Sequence, residues 1–143
     1  MILNRECDYA FRIMRVLSDG YKKTVETICD AESIPKPYAY KLLKKLESAG
    51  FLQSIRGRDG GYRLIRNTND FTMYDVVVTI NKDFLFNECL VKGAICKRME
   101  KEGKLYCKFH IRIQELQDAL ESELKKYSVA EILEKPHEYN LSK

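Results

Sequence analysis

Three cysteines, Cys89, Cys96 and Cys107, share one stretch of chain, with six residues between the first two and ten between the last two. His110 follows three residues after Cys107, and Lys82, Lys92, Lys97, Lys101 and Lys104 lie in or beside the same stretch. The thiolate, not the thiol, binds metals and attacks disulfides, and nearby cations favour it. Three cysteines and a histidine converging from irregular backbone suit an iron–sulfur cluster or a zinc ion. The gaps lack the short knuckles of roughly two to four residues typical of structural zinc. Exposed thiols beside lysines equally suit a redox switch. Three unligated cysteines in a loop are the plain alternative. Cys7 and Cys29 sit among apolar residues of helical segments and read as buried structural thiols. His137 reads as a surface residue.

A second chemistry is carried by charge. Residues 1–70 hold 13 Lys and Arg against 9 Asp and Glu, whereas residues 71–143 hold 12 of each. Within 36–66 stand Lys36, Lys41, Lys44, Lys45, Arg56, Arg58, Arg63 and Arg66 against only Glu47 and Asp59, a local balance of +6. Such a patch is the electrostatic footprint of a polyanion binder, or else a solvated face of an ordinary domain. The elements that carry the charges decide between them.

The chain has 143 residues, 45% of them hydrophobic, enough for one domain with a real core, or a small domain with an appended arm. Apolar runs reach only three or four residues, so no membrane span is expected. Charges crowd the first eight residues, so no secretory leader is expected and the chain is placed in the cytoplasm. There five cysteines read as metal, redox or buried thiols and not as a disulfide framework.

The spacing of Tyr9, Ala10, Ile13, Met14, Val16 and Leu17 predicts an amphipathic helix over 8–17, stopped by Asp19-Gly20. Thr24 is an N-cap for a short helix to about Ala31. After Ile34-Pro35, a longer helix over 36–49 carries Tyr40, Leu42, Leu43 and Leu46, with Gly50 as its stop. Short helix, turn and basic helix form the helix-turn-helix pattern, whose second helix enters the major groove. Two alternating segments, 51–56 and 62–66, flank Gly57-Arg58-Asp59-Gly60-Gly61, which predicts a hairpin with Arg56 and Arg58 at its tip. A basic-tipped hairpin directly after a recognition helix is a wing, able to reach phosphates or a minor groove. Placed on these elements, the charges favour DNA.

Beyond a polar connector, Thr72-Met73-Tyr74-Asp75 is a capping box opening a helix to about Ile80. Periodicity vanishes over 81–107, and a segment of that length is functional or disordered. It returns over 108–127, where Phe109, Ile113, Leu116, Leu120, Leu124 and Tyr127 form one stripe. A long helix after a small head has little of its own chain to cover, so the stripe is expected to meet a partner helix. Ser128 to Glu131 form a second capping box. No catalytic constellation falls on regular elements and no phosphate loop or cofactor fingerprint occurs, which argues against an enzyme. A small redox or metal-binding protein without DNA function is the competing class.

Asp8-Tyr9-Ala10, the run from Ile34-Pro35 to Leu46, and the wing from Arg56 to Leu64 together resemble the Rrf-two family of winged-helix transcription regulators, with its IscR-like and NsrR-like branches. The resemblance covers nearly the whole chain. It implies a mainly α fold with a small β-hairpin: a winged helix-turn-helix head (1–66), a connector helix with a sensor loop (67–107), and a dimerisation helix with its tail (108–143). It implies a homodimer on a pseudo-palindromic double-stranded DNA operator, joined through Ile113, Leu116, Leu120 and Leu124, and acting as a repressor. Lys36, Tyr38, Tyr40, Lys41, Lys44 and Lys45 on the helix, with Arg56 and Arg58 on the wing, are the expected DNA contacts. It further implies an iron–sulfur cluster, two-iron and two-sulfur, on Cys89, Cys96 and Cys107, with His110 or Asp8 as fourth ligand. Some relatives carry no cluster and sense through thiols or a protein partner.

Overall fold

In the computed structural model, which describes residues 3–91, Lys101 and 107–134, a helical head carries one hairpin and a long helix folded back against it. Cys96 and His137 lie outside the described residues. The first helix, α1 (Arg5–Leu17), starts three residues earlier than its periodicity suggests. Its N-cap is Asn4, whose side chain accepts the Cys7 N–H at 3.0 Å. Its buried face is Cys7, Ala10, Ile13, Met14 and Leu17, at helical spacing.

Helix α2 (Val25–Glu32) is capped by Thr24, which accepts the Thr27 N–H at 3.1 Å. It ends at Ser33 in the left-handed region, with φ 53°. Ile34-Pro35 then redirects the chain into α3 (Lys36–Ser48), which buries Ala39, Leu42, Leu43 and Leu46. Gly50, at φ 77°, turns the chain out of α3 as a stop glycine should. Strands β1 (Leu52–Ile55) and β2 (Gly61–Leu64) pair antiparallel, with Leu52 opposite Leu64 and Ile55 opposite Gly61. Gly57, at φ 114°, makes the turn, a conformation that side chains disfavour.

Helix α4 (Met73–Ile80) opens on the expected capping box of Thr72 and Asp75 and buries Val76, Val77 and Ile80. A short 3₁₀ turn (Glu88–Leu90) carries Cys89. Helix α5 (Lys108–Lys125) is followed by α6 (Val129–Glu134), opened by the reciprocal bonds of Ser128 and Glu131. The chain there returns to the head: Val129 donates to the Phe71 carbonyl at 2.9 Å and Ala130 to that of Thr68 at 3.0 Å. One apolar cluster therefore runs from Cys7 to Val129. Phe51 and Phe71 meet edge to face at 4.9 Å within it, and the Arg66 guanidinium lies 4.9 Å and 5.5 Å from their centroids. The cationic charge of Arg66 is spent inside the fold.

The packing corrects one expectation about α5. Leu124 is buried in the chain's own core and Leu120 packs against it. The cause is α4, which lies alongside and supplies intrachain surface; Lys125 sits 3.9 Å over the Tyr74 ring at this contact. The stripe thus divides. Ile113 is half-buried, while Phe109 (75% exposed), Ile111 and Leu116 (45% exposed) face away from the core.

Gln117 is the side chain that sequence periodicity missed, a polar residue 1% exposed in the middle of α5. Its amide donates to the Phe84 carbonyl and to Glu121, both at 3.0 Å, and accepts the Phe86 N–H at 2.9 Å. Every polar atom of the group is satisfied, so its burial is tolerated. The segment just before Cys89 is thereby fastened to α5. Gln117→Ala leaves the Phe84 carbonyl and Phe86 N–H without this partner, at a cost of about 2 kcal/mol. Urea unfolding should show that loss, and hydrogen exchange should show faster opening of the Phe86 amide.

Candidate nucleic-acid interface and cysteine segment

Because α3 buries Leu42, Leu43 and Leu46 on one side, Lys36, Tyr38, Tyr40, Lys41 and Lys44 fall on its outer side. Tyr40 is 51% exposed, and Tyr38 rests edge to face on Tyr9 at 5.8 Å. The lysines are not equivalent. Lys36 pairs with Glu26 at 3.3 Å, and Lys41 pairs with Glu6 of α1. Lys45 turns inward, its ammonium 3.1 Å from Glu6 and 3.0 Å from the Ile80 carbonyl. It ties α3 to α1 and to the end of α4, so this geometry departs from its expected place among the phosphate contacts. Lys44 has no carboxylate within ion-pair reach among the described residues.

The wing is held to α3 by Glu47, which accepts the Ser54 N–H at 2.8 Å. Bonds from the Ser54 hydroxyl and N–H hold the Glu47 carboxyl below the ordinary carboxylate range. Arg56 and Arg58 are exposed on the turn, and neither has an ion-pair partner among the described residues. Arg63 donates to the Gln53 side chain at 3.4 Å. The outer side of α3 and the wing tip together present two exposed tyrosines and three cations without carboxylate partners, a surface suited to phosphates and base edges.

Cys89 is half-buried on its 3₁₀ turn, where the Asn87 side chain accepts its N–H at 3.3 Å. Cys107, also half-buried, is the N-cap residue of α5, and His110 lies in the first turn of that helix. The Cys89 turn packs on α5 as well. Among the described residues no three His, Cys, Asp or Glu side chains converge to hold a metal. The donor set is nonetheless chemically fit for iron: two free, accessible thiols and an imidazole on segments that meet one helix. Cys7 and Cys29 are buried as expected, and burial pushes both thiols above their ordinary range, which makes them inert. Asp8 is exposed on α1 and pairs with Arg12 at 3.0 Å. It edges a groove of about 410 Å³ floored by Phe11, Met14, Met73, Val129 and Ile132, on elements that carry none of the three cysteines.

A family model described as Rrf2, iron-dependent transcriptional regulator, matches residues 3–135. The chain belongs to the Rrf2 family. It is 33% identical over 97 residues to protein aau3 of Rhizobium meliloti, covering 66% of this chain and 63% of that protein. It is 32% identical over 92 residues to the regulator NsrR of Bacillus subtilis, covering 62% and 63% of the two chains. This Rrf2 chain thus spans a little under two thirds of the length of these curated relatives. Its fold matches the oxidised form of CymR from Staphylococcus aureus with a TM-score of 0.72 at 18% identity, covering 96% and 99% of the chains. IscR of T. potens matches with a TM-score of 0.67, also at 18% identity, covering 98% and 91%. The winged-helix, mainly α architecture read from the sequence is that of these regulators, and no helix of the described residues is long and apolar enough to cross a membrane.

The Glu6 clamp yields a pH prediction. The hydrogen bond from Lys41 comes first, and Lys45 adds to it; together they hold the Glu6 carboxyl below its ordinary value of 4.5 against the opposing effect of burial. A depressed carboxylate stabilises the fold above its unfolded value and stops doing so as pH falls through the folded one. Glu6→Gln should therefore be less stable than the wild type at neutral pH by about 1 kcal/mol. The gap should close progressively below about pH 4.5, as thermal melts at stepped pH will show.

Proposed function

We propose that this chain is a dimeric, DNA-binding transcriptional repressor whose operator affinity responds to an iron–sulfur cluster. The observation that carries the DNA reading is the set of Lys44, Arg56 and Arg58, without ion-pair partners among the described residues, beside exposed Tyr38 and Tyr40. α3 enters the major groove, with Tyr38, Tyr40 and Lys41 toward base edges and Lys36 and Lys44 nearer the phosphates. Arg56 and Arg58 reach the backbone or the adjacent minor groove from the wing. Binding DNA exchanges the exposed Lys36–Glu26 ion pair for a phosphate contact. Exposed pairs are worth little, so that exchange is cheap.

Cys89, Cys96 and Cys107 would hold the cluster, with His110, or Asp8 from a second copy, as fourth ligand. Bound there, a two-iron, two-sulfur centre supplies a redox- and ligand-sensitive group that can be lost. A non-cysteine donor, more readily protonated or displaced than a thiolate, leaves one corner of the site labile. Gln117 passes the state of the Cys89 segment to α5, the helix expected to join two copies, so ordering of that segment can alter the spacing of the two heads. A second reading, a thiol switch without cluster, is favoured by the accessible free thiols of Cys89 and Cys107.

Selection of bound fragments from a genomic duplex library, followed by gel shifts, tests the first half. A palindromic sequence preference is expected, and its absence counts against repressor function. Oxygen-free reconstitution with iron and sulfide tests the second. The wild type should turn brown with visible charge-transfer bands, and each of Cys89→Ser, Cys96→Ser and Cys107→Ser should stay colourless. No iron uptake, with operator affinity that still follows a disulfide oxidant, makes the thiol switch correct.

Dimerisation calls for a probe that spares the head. Leu116 is exposed within one chain, unlike Leu124, so Leu116→Asp leaves the intrachain core intact. In a dimer seam it buries an unpaired charge at a cost of several kcal/mol. Sedimentation should give a folded monomer; a stable Leu116→Asp dimer places the seam elsewhere.

A further inference from the structure

The linker between α1 and α2 does more than connect them. Lys23 donates its backbone N–H to the Tyr62 carbonyl at 2.9 Å and accepts the Tyr62 N–H at 2.8 Å, a two-way antiparallel bridge to β2. This approach is possible because residue 61 is glycine. A Cβ there would stand 2.4 Å from the Lys23 carbonyl oxygen and 2.8 Å from its carbon. One residue earlier, the exposed Lys22 sends its ammonium to the backbone carbonyl of Asp59, in the wing turn beside Arg58. Its acceptor is a neutral carbonyl and it has no ion-pair partner among the described residues, so its charge stays uncompensated. Lys23, by contrast, is neutralised by Asp19 at 2.5 Å. Tyr21, next in line, is 74% exposed, and its ring lies 6.0 Å from the Lys23 ammonium.

We propose that Lys22, held beside the wing turn by the neighbouring Lys23–Tyr62 bridge, contacts a DNA phosphate alongside Arg56 and Arg58. The inference rests on the DNA-binding reading and adds a contact to it. Lys22 serves twice: its ammonium fixes the wing turn through the Asp59 carbonyl, and its remaining donors face outward. A lysine carries three N–H donors, so one bond to a carbonyl leaves two for a phosphate. The wing is then no free hairpin but is fastened by the Lys23–Tyr62 bridge to the linker between α1 and α2.

Phosphate contacts are independent of sequence, so a mixed-sequence duplex of about thirty base pairs is a sufficient probe. Affinity is measured against salt concentration for the wild type, Lys22→Ala, Lys22→Arg and Arg58→Ala. Lys22→Ala should bind about three- to tenfold more weakly near 0.15 M salt, with a salt slope lower by about one, while Lys22→Arg keeps the wild-type slope. Loss of affinity at unchanged slope makes Lys22 a wing strut without a phosphate contact and overturns the proposal. So does wild-type behaviour of Lys22→Ala where Arg58→Ala lowers the slope. A wild type that binds no duplex at low salt overturns the DNA-binding reading itself, which separates the two failures.

Discussion

The buried face of α1 is the constraint on which the rest of the molecule depends. Helix α1, whose buried residues are Cys7, Ala10, Ile13, Met14 and Leu17, packs on α2, α3, α4 and β2, so the helix-turn-helix, the wing and the connector all take their positions from one rod. Small residues at 7 and 10 let neighbours approach closely, and the larger ones fill the space between. The same rod presents Glu6, which gathers Lys41 and Lys45, and Arg12 and Arg15, which hold Glu32 at the end of α2. Packing and charge thus act together to set the angle at which α3 shows its outer side.

That arrangement sorts the basic residues by job. Arg66 lies on two phenyl rings and Lys45 bridges three helices; both are positive, and both are structural. Lys44, Arg56 and Arg58 have no such duties among the described residues. A charge count over 36–66 sees all of these alike. The distinction appears only once tertiary contacts show which cations already have partners, because a paired or stacked cation must give something up to reach a phosphate.

Much of the head was legible because its signals are local. Thr24, Thr72 and Ser128 cap helices as their spacing predicts, Gly50 and Gly57 adopt positive φ, and a basic-tipped antiparallel hairpin follows α3. What periodicity could not reveal were contacts between residues far apart in sequence. Gln117 looks like an ordinary polar position on an exposed helix, and only the return of the chain at Phe84 to Phe86 makes it a buried clasp. The stripe on α5 was read as one surface for the same reason: nothing local tells Leu124, covered by its own head, from Leu116, left open. The bridge from Lys23 to Tyr62 had a faint sequence trace, a second consecutive glycine at 61 beyond what the turn needs.

The asymmetric anchoring of α5 has a mechanical meaning. Its last turns are welded to the head through Leu120, Leu124 and the Tyr74–Lys125 contact, while its first turn carries Phe109 outward. From Leu124 to Phe109 the rise of an α-helix amounts to about 22 Å. A rigid rod of that length, tilted by about 5° at its root, sweeps its tip through about 2 Å, enough to put packed side chains out of register. Gln117 grips the rod near its midpoint, where under the proposed function a small push from the Cys89 segment would be geared up toward one end and delivered as torque at the other.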